Sequence, residues 1–213
     1  MLKLWAFVSR GLLGITICLF AVQNAGAQDI VNGLNTTALS GLIDNLKNDK
    51  DAGRVTFYSN SEWQDGMRSF TTFTGYKIDG KMYHEKQRKF VMLGDEGLEL
   101  SGTDAAAGAV EELMYAVGTC IIAAGNANAA LMGVKLTKFQ LEMESDIDLH
   151  GLFALDENVR PGILELRMKI TIAGDADDET LRKIANLGYT YSPVSNSVRE
   201  GVNVIPEIIV VKN

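Results

Sequence analysis

The stretch "AAAGAVEELMYAVGTCIIAAGNANAALM", residues 105–132, decides how this chain must fold. Val110, Leu113, Met114, Val117, Cys120, Ile121 and Ala124 recur at the three- and four-residue spacing of a helix. The opposite side carries Ala109, Ala116, Ile122 and Ala123, which are also apolar or small. A helix that is apolar around most of its circumference is buried on most sides. The pattern therefore predicts one long central helix covered by sheet and by a second subunit.

Outward from that helix the period changes to two. In "KFQLEMESDIDLH", Phe139, Leu141, Met143, Ile147 and Leu149 alternate with polar residues; in "GILELRMKITIAG", Leu164, Leu166, Met168, Ile170 and Ile172 do the same. Such alternation predicts antiparallel strands with one buried face. Asp177 or Asp178 is placed to cap a helix that carries Leu181, Ile184, Ala185 and Leu187. That helix should run toward Tyr191 and stop before Pro193, because the residue preceding proline avoids helical geometry. "VNVIPEIIVVK" reads as a terminal strand.

N-terminal to the central helix, residues 54–100 read as a β-meander. Its strands are "RVTFYS", "MRSFTTFTGYKI" and "KFVML", with a hairpin turn at Asp79-Gly80. Before it, Leu39, Leu42, Ile43 and Leu46 mark a short amphipathic helix with Thr37 as its candidate N-cap. The fold class is α+β: antiparallel sheets around a long buried helix.

The first 27 residues have the layout of a secretory signal peptide. Lys3 and Arg10 precede the apolar run "GLLGITICLFAV", and Ala25-Gly26-Ala27 offers a small-x-small cleavage site. Twelve helical residues reach about 18 Å, short of the roughly 30 Å hydrocarbon core, so a membrane anchor is the weaker reading. Cys18 follows Ile17 rather than a small residue, which argues against a lipid anchor. The expected organisation is a signal at 1–27, a helical arm at 28–53 and one domain at 54–213, with the product periplasmic or secreted.

Cleavage leaves 18 basic against 27 acidic side chains, a net charge of −9. That balance argues against nucleic acid and anionic membrane as partners. It also leaves one cysteine, Cys120, so no intramolecular disulfide can form. The two histidines, His84 and His150, lack metal-ligand spacing, and "DADDE" (175–179) lacks the glycine and spaced oxygens of a calcium loop. No metal or cofactor is expected. Nucleotide fingerprints and a serine–histidine–acid set are absent from the sequence.

The stretches "EELMYAVGTC", "SDIDLHGLFALDENVRPGILELRMKITIAGDADDETLRKIANLGYTYSPVSNSV" and "SEWQDGMRSFTTF" together resemble the OsmC/Ohr family, over roughly residues 54–211. The resemblance implies an intertwined homodimer of α+β subunits with two sites at the subunit interface. In peroxidase members one cysteine attacks a hydroperoxide and a second closes a disulfide; an arginine and a glutamate organise the first. Carried over, Cys120 matches the attacking cysteine, Glu111 the glutamate and Arg68 the arginine. The second cysteine's position holds Ser192, which cannot form a disulfide.

Two readings of function follow. One is a one-cysteine, thiol-dependent reductase of organic hydroperoxides, acting through Cys120 and regenerated by an external thiol. The other is a non-catalytic relative that binds a hydrophobic small molecule in an interface cavity, with Cys120 merely packed. Helix geometry constrains the first. Nine residues place Glu111 and Cys120 about 13.5 Å apart along the axis and half a turn apart in angle, so a joint site needs a partner helix or a bridging arginine. Glu111 is also explained by first-turn compensation of the helix dipole, and Arg68 by solvation.

Overall fold

A computed structural model describes residues 29–84, 86 and 88–211; the signal segment lies outside them. The elements run β1 (Ile30–Val31), β2 (Leu34–Asn35), α1 (Thr36–Asn48), β3 (Val55–Asp65), β4 (Arg68–Ile78), β5 (Lys81–Tyr83), β6 (Phe90–Gly94), a 3-10 turn (Leu98–Leu100), α2 (Ala109–Leu131), β7 (Leu136–Asp146), α3 (Leu149–Leu152), β8 (Glu165–Gly174), α4 (Asp178–Tyr191) and α5 (Pro193–Glu200). This is the expected α+β class with antiparallel pairing throughout.

The predicted meander is partly wrong. β3 and β4 form the expected hairpin, and Asp79 and Gly80 turn β4 into β5 with φ of 48° and 78°, the left-handed pair of a tight hairpin. But β6 returns to β4 instead of pairing with β5. β4 is eleven residues long and β5 occupies only Tyr76–Ile78, so Ser69–Phe73 stay open on the same edge and accept β6.

Within one chain α2 is buried along one stripe rather than on most sides. Val117, Gly118, Ile121, Gly125, Ala129 and Ala130 are buried, while Tyr115 is 62% exposed. The stripe is built from missing side chains. A Cβ on Gly118 would lie 2.8 Å from Met143 Cε, and one on Gly125 would collide with the Phe139 ring, so two glycines seven residues apart receive two side chains four apart on β7. From the other direction, a Cβ on Gly188 of α4 would lie 2.8 Å from the Ile121 carbonyl oxygen and 3.1 Å from Gly125 Cα. Ala129, Val134 and Ile184 continue the core, with Leu136, Ile172 and Leu181 packed against them. The outer face of β7 and β8 is charged: Arg167 reaches Glu144 and Asp146 at 2.6 Å each, and Lys169 reaches Glu142 at 3.0 Å.

Further corrections concern element ends. α1 is capped by Asn35, whose side chain accepts the Ala38 N–H, and not by Thr37. α2 begins at Ala109, not Ala105, because 95–108 is tied into a loop. The β7 strand ends at Asp146, before Ile147 and Leu149; Asp148 accepts the His150 N–H and starts α3. Asp177 caps α4 through the Thr180 N–H, and α4 stops at Tyr191, as expected. Pro193 does not end the helical region. It is the first residue of α5, for which Ser192 is the N-cap. The tail at 202–211 forms no strand: no ladder of its own chain accepts it, and Pro206 lacks the N–H a central ladder needs. The N-terminal arm is fixed to the domain by Asn32, which donates to the Val134 carbonyl and accepts the Leu136 N–H, each at 2.9 Å.

The α2–α4 contact leaves no room for a methyl group. Gly188→Ala should therefore destabilise the protein by about 1–3 kcal/mol, the usual cost of overpacking, seen as a lower urea midpoint. Gly41→Ala, in α1 with open space around it, should raise stability by about 0.5–1 kcal/mol instead.

Candidate functional site

The start of α2 is positioned by a carboxylate that the sequence reading passed over. Asp95 is 3% exposed. Its Oδ2 accepts the Thr103 hydroxyl, the Thr103 N–H at 3.0 Å and the Ala105 N–H at 3.1 Å. The Thr103 hydroxyl is the main cause that holds this carboxyl down at about 2; the N–H groups of Ala105, Glu96 and Thr103 add to it and burial opposes it. This closes the 95–105 loop and delivers Gly108 to the helix N-terminus.

Glu111 then acts locally. Its Oε2 accepts the Gly108 N–H at 2.8 Å, an N-terminal cap on its own helix. Glu112, not Glu111, faces the β3–β6 sheet: its Oε1 lies 4.0 Å from where a Cβ on Gly94 would sit, and Ser69 Oγ lies 3.2 Å from the same point. Arg68 is the chain neighbour of Ser69, but its guanidinium goes to Asp65 at 3.4 Å and it is exposed at the start of β4.

Cys120 is a half-buried free thiol on α2. It precedes Ile121, which is fully buried against the α4 turn at Gly188. Ser192 lies one turn beyond Gly188, bonded to its carbonyl at 3.1 Å, fully buried, with Oγ accepting the Ser195 N–H at 3.1 Å. The α2 residue at the α4 crossing is thus Ile121, and Cys120 is turned about 100° away from it. Among the described residues, no hydrogen bond or ion pair joins Cys120, Glu111 and Arg68. A single chain does not bring the three together.

What it does assemble is a cavity of about 520 Å³ between β8 and the helices α2, α4 and α5. Val117, Leu166, Met168 and Ile170 give it apolar walls, and Tyr189, Ser195, Arg160 and Arg199 also line it. Cys120 is not among its lining residues. The strand periodicity pointed to the apolar walls. Ser195 and Arg199 join the lining through α5, which a helix stop at Pro193 does not predict, and Arg160 joins it through the loop before β8.

A family model described as "OsmC-like protein" matches residues 102–207, about half of the chain. No curated protein matches it. Among solved structures, an OsmC-like protein from Mycoplasma pneumoniae superposes with a TM-score of 0.51 at 11% identity, covering 68% of this chain and 89% of that one. A Psychrobacter arcticus protein named for osmotic stress induction and detoxification gives 0.48 at 17% identity, covering 65% and 85%. A Vibrio cholerae protein named for organic hydroperoxide resistance, with captopril bound in one active site, gives 0.44 at 14%, covering 68% and 85%.

The Asp95 loop has a signed pH dependence. A carboxyl near 3.8 when unfolded and about 2 when folded stabilises the fold above pH 4 and loses that contribution as pH falls from about 4 to about 2. Asp95→Asn should lower the urea midpoint at pH 7, and its deficit against the parent should shrink steadily between pH 4 and pH 2.

Proposed function

The chain belongs to the OsmC-like protein family, and on that premise we propose that it is an exported, homodimeric binding member that holds a hydrophobic small molecule beside α2. The observation that carries this reading is the cavity between β8, α2, α4 and α5. Its volume of about 520 Å³ lies within the range of small-molecule sites, and an apolar wall from α2 and β8 faces polar groups from the loop before β8, α4 and α5. The groups that thiol peroxidase chemistry would require are engaged elsewhere: Glu111 on its own helix cap and Arg68 on Asp65. Ser192 removes the internal disulfide.

The homodimer is supported by apolar surface that one chain leaves open. All of β3 is exposed, with Phe57 at 71% and Trp63 at 74%, and the tail exposes Val204, Ile205, Ile208 and Val210 at 77% or more. Contiguous apolar exposure of this kind marks an interface.

One observation favours the alternative, a one-cysteine hydroperoxide reductase. Cys120 is half-exposed on a face of α2 that its own chain leaves partly uncovered, where a cation supplied by a second subunit would find room. There the thiolate would attack the peroxide oxygen, releasing the alcohol and leaving a sulfenic acid. An external dithiol would return it to the thiol with loss of water.

Native mass spectrometry of the exported protein tests the proposal. The expected result is a dimer of chains beginning at Gln28, recovered from the periplasmic or secreted fraction, that releases an apolar small molecule on denaturation. An empty monomer retaining residues 1–27 contradicts it.

A further inference from the structure

Resting on the cavity as the binding site, we propose that its ligand is an anionic amphiphile, an alkyl carboxylate whose chain lies along β8 and whose head group meets Arg160 and Arg199. Both arginines line the cavity, and neither makes an ion pair among the described residues. The one acid in the lining, Glu165, is turned to Arg167 at 3.3 Å. The cavity therefore carries two uncompensated positive charges in a protein whose acidic residues outnumber its basic ones by 27 to 20. In an acidic protein such a spot selects for an anion, and guanidinium matches a carboxylate in two-point hydrogen bonding.

The fold fixes the backbone of one cation and the side chain of the other. Arg160 is carried on a loop whose backbone is pressed against buried Gly151: a Cβ there would lie 2.6 Å from the Arg160 carbonyl oxygen. Arg199 stands in the last turn of α5 with its guanidinium 4.5 Å from the centre of the Tyr189 ring, a stacking contact that limits its swing. Leu166, Met168 and Ile170 alternate along one strand and line the cavity with Val117, so the apolar wall is linear as an alkyl chain is linear.

The test compares decanoate with decanol, equal in chain length and differing in charge, by calorimetric titration of the full mature protein. Decanoate should bind at least tenfold tighter. Arg160→Gln and Arg199→Gln should each weaken decanoate roughly ten- to a hundredfold and leave decanol unchanged. Arg160 is exposed and contributes no ion pair, so its variant should keep the parent's melting temperature. Equal binding of the two ligands, indifferent to both substitutions, overturns the anion and leaves the apolar site standing. Binding of neither ligand removes the site itself.

Discussion

The structure depends on the close crossing of α2 and α4 at Gly188. Because neither Gly125 nor Gly188 carries a side chain, the two helix backbones meet near van der Waals distance at the Ile121–Gly125 turn. Phe139 of β7 fills the groove at Gly125, Met143 fills the one at Gly118, and α4 leads through Ser192 into α5, which lines the cavity with Val117 and β8. Interiors are packed without slack, so the positions of β8, α4 and α5, and of the space between them, follow from this contact.

That crossing also decides which α2 side chain occupies the centre. It is Ile121, whose neighbour Cys120 points to a flank. A thiol one residue away from the packed stripe sits in a different environment from one within it. A residue-by-residue resemblance cannot register this, because it counts spacing along the chain and not angle around the helix. The same holds for the paired acids. Glu111 and Glu112 are adjacent in sequence, but one closes the helix terminus and the other faces Ser69 and Gly94 on the β3–β6 sheet.

Much of the fold was legible because it is written in local periods. β7 and β8 announce themselves by alternation, the β4–β5 turn by Asp79-Gly80, and α4 by Asp177 and the proline that follows it. The misreadings share a different cause: each was settled by a tertiary partner. β6 pairs with β4 because β5 is too short to fill the edge. α2 starts late because Asp95 gathers the Thr103 and Ala105 donors into a loop. α5 exists because Ser192 can cap a second helix while ending the first, which a rule treating Pro193 as a stop does not see. Val202–Val211 has the composition of a strand, but composition does not supply an edge to pair with. The cavity's apolar wall was readable from β8; its arginines were not, since their convergence requires the Gly151 loop and α5 together.

The proposed binding role requires a thiol that peroxide leaves alone. Intact mass of the mature protein, exposed to cumene hydroperoxide with dimedone present and with Cys120→Ser as control, reads this out. Cys120 should stay unmodified even at large peroxide excess. A dimedone adduct on Cys120 at stoichiometric peroxide would contradict that role.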